Sequence, residues 1–599
     1  MRLRPRVGRR RPLALAVAAG LVCAVSACGG LPSGGPVQQG MAVGEPAQQP
    51  IHVSPFGPVV GASAEETIRG FLSAGYGFED DHAVARSFLT PAASDAWKPD
   101  VGVTVHGDTD ASVKVAVADG TAHVATSPIA VVDANGYYHE SPAGSVVRGS
   151  FGLTRVGGQW RISSLPKGFG LWLSEYDMQR IYRPFSISYV DPIERTLVAD
   201  RRWFPVTAGL ATTLARALLD PVPDYLRGAA STGVPLGTEL SVAAVPVQSG
   251  RATVDLTVRA LAADAVLRRA MWAQFLSTLL QVQLPAVNEV SLRVDGARLD
   301  LPGLGESLSS LADLDYRSTT TASPALVLLR KGSTLTRVDP DGFGDASPPR
   351  RSPETSAAPL PRIQPGWIEL AQSRDGKELA AVGGDRRDLS RWRGTSSRQL
   401  PRLGEKLTKP SYDGRDGLWV AGERGGATRL WVLDTSGSSL SAGQPRAVDI
   451  SRLGNRRIVS FRVAADDQRA VLVTTKPDGS DVQVQVAGIV RAANGTAQAL
   501  AAPLRVGWTL TSASSAVWVD DDTVAVIGRV GGTDAERPYL VDIGGPATGL
   551  QPVPDARSLT TTGGVRGLVV VTGRGVVLSK AGNGWQPLGE GTDLVVPGA

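Results

Sequence analysis

SRDGKELAAVGG, residues 373–384, packs an acidic turn and an apolar strand into one short stretch. Asp375 and Gly376 suit a tight turn, and Leu379 to Val382 is an apolar run of buried-strand length. The same order returns as SYDGRDGLWVAG from Ser411, AADDQRAVLVTT from Ala464 and WVDDDTVAVIGR from Trp518. Aligned on Asp375, Asp413, Asp466 and Asp521, the intervals are 38, 53 and 55 residues, the length of one four-stranded propeller blade with variable loops. Further strands lie between the turns, among them RLWVLD, VQVQVAGIV, YLVDIG and GLVVVTGRGVVLS. The spacing predicts an all-β propeller of about six blades over residues 324–595.

Working toward the N-terminus, residues 186–302 read as a second unit. In ADRRWFPVTAGLATTLARALLDPVPDYL, Leu210, Leu214, Ala217 and Leu218 fall on one helix face, and Pro221 and Pro223 stop the helix. TELSVAAVPVQSGRATVDLTV reads as a hairpin turning at Ser249-Gly250. Leu267, Met271, Phe275 and Leu279 recur every fourth residue in a second helix, and VNEVSLRVDG closes with a strand. Periodicity alone gives a small α/β unit. The pattern RWFP, LARALLDPVP, ATVDLTV, AQFLSTLLQ, VSLRVDG resembles a GerMN domain, a module of bacterial envelope and sporulation proteins.

Residues 63–185 open with Ser63 and Glu66 in capping-box spacing, and Ile68, Phe71, Leu72 and Tyr76 form one helical face. Val84 and Phe88 start a second helix, and from Val101 alternating runs separated by Asp-Gly and Gly-Gly turns read as a meander. This α+β domain is similar to the cone-shaped NTF2-like fold. The chain is thus multidomain: α+β, then α/β, then all-β.

Residues 28–62 are rich in Gly, Pro and Gln and show neither period, as expected of a flexible tether spanning about 30 Å. Residues 1–27 carry six arginines followed by an apolar stretch, Leu13 to Val25, of signal-peptide length. Val25-Ser26-Ala27-Cys28 resembles a bacterial lipobox, which implies cleavage between Ala27 and Cys28 with S-diacylglycerol and N-acyl chains, palmitate among them, on Cys28. Two chains anchor firmly, because each buried methylene adds about 0.8 kcal/mol and one chain is marginal. The expected location is the extracytoplasmic face of the cell membrane.

Without the signal, 56 basic side chains face 57 acidic ones, so the high pI belongs to the leader and the body has no nucleic-acid footprint. Arginine outnumbers lysine 53 to 9, as in a GC-rich actinobacterial genome. Cys28 is the sole mature cysteine, which excludes an intramolecular disulfide.

All five histidines, at 52, 82, 106, 123 and 139, precede residue 140. A Ser-His-Asp triad, a Cys-His pair and a His-ligated zinc are therefore excluded from the last two units. The acidic runs at 79–81, 466–467 and 520–522 could gather a cation, but they read as a helix start and blade turns. No catalytic residue, metal or cofactor is expected. Trp419 and Trp431 lie in apolar strands and should pack between blades, whereas Trp392, flanked by arginines in RDLSRWRGTSS, is expected on an exposed recognition surface.

The order lipobox, tether, α+β domain, GerMN-like domain and propeller resembles the LpqB family of actinobacterial lipoproteins. The resemblance implies a non-enzymatic accessory of an MtrB-like sensor histidine kinase, contacting its extracytoplasmic domain and modulating envelope and cell-division signalling. Two alternatives stand beside it, a cell-wall hydrolase and a solute or glycan receptor using the propeller face.

Overall fold

The computed structural model describes residues 55–283, 285–317, 327–340, 359–437, 439–440, 443–531 and 535–598. The signal segment, Ala27, Cys28 and most of the tether lie outside the described residues. Residues 51–599 form one compact unit. Among the described residues, no helix is long and apolar enough to cross a membrane.

The first helix, Ala64–Ala74, begins with the expected capping box: Glu66 N donates to Ser63 Oγ at 3.2 Å, and Ser63 N to Glu66 Oε2 at 2.7 Å. It buries Ile68, Phe71 and Leu72. A third helix, Pro91–Ala96, was not legible in the sequence, because its six residues are too few to show a period. The following strands divide between two four-stranded sheets. In one of them Leu171–Ser174 runs parallel to Gly102–His106, a crossover that a meander lacks. Phe71, Trp97, Phe151 and Phe169 meet edge-on or tilted at the centre of this domain.

Tyr182–Val190 and Leu197–Pro205 then form a long antiparallel pair, paired residue for residue. Beside it Arg251–Leu256 and Glu289–Val294 run parallel, as the intervening helix Ala265–Leu279 requires of a strand-helix-strand crossover. The hairpin turns at Ser249-Gly250, both with positive φ, but its first strand is only Val247–Gln248. Pro246 stands next in line and has no N–H to extend the ladder.

The rest of the chain is a six-sheet propeller among the described residues. Its sheets are built from strands within 327–338, 367–399, 411–448, 457–506, 510–549 and 556–590. The first strands of the second to sixth sheets pack on one another around an axis. Among the described residues the first sheet has two local strands, Val327–Lys331 and Thr334–Val338. The C-terminal strand Asp593–Val595 supplies the third, pairing Asp593 with Arg330, and touches the first strands of the second and sixth sheets. Chain end thereby joins propeller start and closes the ring.

The acidic turns are Asx turns. Asp375, Asp413, Asp466 and Asp520 each accept a backbone N–H from the residue two positions on, at 2.9–3.1 Å. The equivalent residue in the fifth sheet is therefore Asp520, one position before the Asp521 that the sequence alignment used.

Trp392 is corrected. It lies in Leu389–Arg393, paired with Leu379 and Ser397, and is only 6% exposed. It packs edge-on against Trp367 at 5.6 Å, between the first two sheets. Its flanking arginines misled, because they too turn inward: Arg391 binds Glu378 with both Nε and Nη2 (2.7 and 2.9 Å), and Arg393 Nε adds a third bond at 2.8 Å. Trp419 and Trp431 are buried among apolar residues of the propeller, as expected.

Candidate functional site

The densest polar chemistry lies where the three modules meet. The strand pair 182–205 emerges from the first domain and lies against the propeller turns that follow the innermost strands. Asp191, at the end of the first of these strands, is 4% exposed. Two propeller turns reach it: Arg415 Nη2 donates to Asp191 Oδ2 at 2.5 Å, and Gln468 Nε2 to the same oxygen at 2.6 Å. Arg415 also approaches Glu194 at 3.4 Å. Nearby, Arg469 is fully enclosed, bound to Asp466 at 2.5 Å, to Asp521 O at 2.7 Å and across the junction to Ala199 O at 3.0 Å. Its guanidinium lies over the Trp518 ring at 5.1 Å. Asp522 receives Arg201 at 2.9 Å and Ser186 Oγ at 3.2 Å.

A second knot joins the first domain to the GerMN-like module. Asp200, completely buried, accepts from Tyr137 Oη (3.0 Å), Tyr225 Oη (2.8 Å) and Arg202 Nε (2.6 Å). Burial, reinforced by the Asp200 charge, pushes both tyrosine hydroxyls up, so they remain protonated donors. Burial opposes the charge on Arg202, but Asp200, with Tyr137 and Tyr189 beside the guanidinium, outweighs it and holds the group firmly protonated.

The third contact joins the first domain directly to the propeller. Glu140 accepts from Ala547 N at 3.0 Å and Thr509 Oγ1 at 3.2 Å, and burial raises its pKa despite these bonds. His139 meets Trp508 edge-on at 5.5 Å. Apolar packing follows the same lines: the core of the GerMN-like module is continuous with that between the fourth and fifth propeller sheets.

Most charges in these knots meet a partner on another module or on their own turn, so the arrangement fixes the geometry of the three modules. The histidines are scattered. His82 packs on Phe78 and Trp97, His123 meets Ser150, His106 contacts Gly107 O, and His52 lies outside the described residues. No group of three or more His, Cys, Asp or Glu among the described residues is placed to hold a metal. The junction was invisible in sequence: Asp191 and Arg415 are 224 residues apart, and nothing local distinguishes Arg415 from any other turn arginine.

Comparison with known proteins matches residues 57–179 to the N-terminal domain of lipoprotein LpqB and 358–597 to the LpqB β-propeller domain. Residues 182–300 match a domain described under sporulation and spore germination. Lipoprotein LpqB of Thermobifida fusca is 28% identical over 99% of this chain and all of its own. That of Streptomyces coelicolor is 29% identical over 99% of both. Among solved structures, TolB from Acinetobacter baumannii covers 52% of this chain and 83% of its own at 15% identity with a TM-score of 0.32, a likeness that carries no argument.

Proposed function

The chain belongs to the LpqB lipoprotein family, and from that premise we propose that it is a lipid-anchored accessory of a membrane sensor histidine kinase, working by contact without chemistry of its own. Cys28 carries the anchor after cleavage behind Ala27. The tether stands the folded body off the extracytoplasmic face of the membrane, and the body meets the kinase's extracytoplasmic domain. Confinement to the kinase's own membrane raises the effective concentration of each for the other, so a modest interface suffices.

The observation that carries this reading is the welding of the modules. A buried ion pair, hydrogen bonds to buried carboxylates and shared apolar packing join three domains into one body, as a scaffold that transmits contact requires.

The experiment is reconstitution of the sensor kinase in liposomes with and without the lipidated protein, following autophosphorylation. The expected result is a changed rate that the C28A variant, added at the same bulk concentration, fails to produce. Equal rates under all three conditions would sink the kinase reading, and an unmodified N-terminus by mass spectrometry would sink the anchor.

A further inference from the structure

The end of the propeller axis opposite the module junction holds a different kind of site. Around the axis, the innermost strands begin at a cavity of about 450 Å³, within the range of small-molecule sites. Its lining includes six cationic side chains, Arg386, Lys406, Lys409, Arg457, Arg462 and Arg557, against two carboxylates, Glu369 and Glu423.

Those carboxylates are already engaged. Glu369 pairs with Arg386 at 2.7 Å, and Glu423 with Lys406 at 2.9 Å and, more loosely, with Arg457 at 3.8 Å. Lys409, Arg462 and the exposed Arg557 are left over. The Lys409 ammonium makes no hydrogen bond or ion pair with any described residue, although Glu369 and Asp593 contribute to its field from a distance. Arg462, 6% exposed, donates only to backbone carbonyls, of Lys409 at 3.1 Å and Phe461 at 2.7 Å. Two cations held side by side, Arg462 buried and Lys409 half-buried, repel each other and lose part of their hydration, an arrangement that an anion between them would relieve. The surplus reaches Glu369, whose pKa burial would raise but Lys409, Arg386 and Arg462 hold down.

The backbone is shaped to the same end. Four innermost strands bulge here, and the extra residue of each bulge, Glu369, Val459, Ser514 and Arg557, lines the cavity. Glu369 takes a left-handed conformation to do so. Bulges re-aim side chains out of register, and four converging on one void belong to a built site. Ser460, Ser515 and Ser558 add hydroxyl donors around the same wall.

We propose that this axial cavity binds a small phosphate-bearing anion, with Lys409 and Arg462 clasping the phosphate from the floor and Arg557 and the serines closing around it. A guanidinium and an ammonium together with hydroxyl donors match a tetrahedral oxyanion's several acceptors. This site is independent of the kinase reading and survives its failure.

The test is calorimetry of the full lipoprotein in detergent at low salt, titrated with inorganic phosphate and with glycerol 3-phosphate, alongside sedimentation with phosphatidylglycerol vesicles. The proposal expects one saturable site for at least one probe, weakened at least tenfold in K409Q and R462Q and unchanged in K377Q, whose lysine pairs with Asp375 at a blade turn. Should R462Q not fold, K409Q decides alone. Tight binding of the soluble esters assigns a free ligand, whereas K409Q-sensitive binding to vesicles alone assigns a lipid headgroup. No saturable binding of any probe, or K409Q binding as tightly as the unaltered protein, overturns the proposal.

Discussion

Trp392, Arg391 and Arg393 are adjacent in sequence and all turn away from water, which a residue-by-residue reading does not anticipate. The reason is Glu378, 2% exposed, which takes three guanidinium bonds and the Tyr412 hydroxyl at 2.9 Å. A carboxylate on the neighbouring strand makes buried arginines tolerable, and the tryptophan between them is carried inward. Replacing Trp392 by Ala should therefore lower unfolding free energy by about 3–5 kcal/mol, the cost of an aromatic core cavity. Denaturant titration checks this, and a loss below about 0.5 kcal/mol would restore the exposed reading. Asp467 offers a test by pH. Burial, helped by Asp413 and Asp466 and opposed by Arg374, raises its pKa to about 6. The folded chain holds this proton more tightly than the unfolded one. Its stabilising effect is full below the ordinary carboxyl value and is lost as pH rises through about 6. Unaltered protein should lose up to ~3 kcal/mol relative to D467N between pH 4 and pH 7, measured by unfolding both across that range.

At the scale of elements, sequence served best where periodicity is local. The capping box at Ser63, the helix 265–279 and the acidic turns all announce themselves within a few residues, since their physics is a single turn of backbone. What stayed hidden depends on partners far along the chain. The two-residue strand at Val247 is cut short by Pro246, the bulges at the axial cavity are visible only in register, and the first propeller sheet borrows its third strand from the C-terminus. That borrowed strand is short, yet it closes the ring. Deleting residues 593–599 removes its ladder, the Arg330–Asp593 pair at 3.2 Å and the Leu594 and Val595 side chains from two apolar clusters. Limited proteolysis should then cut within 327–399 at a concentration of protease that leaves the full chain intact. Equal resistance of the two would show that the ring holds without its clasp.

The whole molecule should behave as one body, because each of its three module contacts is buried or half-buried: one is ionic, and the other two are hydrogen bonds from neutral donors to a carboxylate. Calorimetry should record a single cooperative unfolding transition. Arg415→Met strands the Asp191 carboxylate with only Gln468 as a cross-junction partner, at a cost of about 3 kcal/mol for a broken buried pair. Combined with Glu140→Gln, it should divide the transition into two, with hydrogen exchange rising first in 186–202 and in the turns at 413–416 and 464–468. A single unsplit transition in the double variant would mean that apolar packing alone holds the modules together.

The borrowed strand also sets a schedule. A ribosome makes residues 327–338 long before 593–595, and at about 5–20 residues per second the interval is on the order of 15–50 s. For that time the earliest propeller strands wait with one edge bare. The last sheet cannot settle against the first until residues 593–595 have been made. A stop codon just before residue 593 would therefore leave nearly all of the propeller made and its ring unfinished.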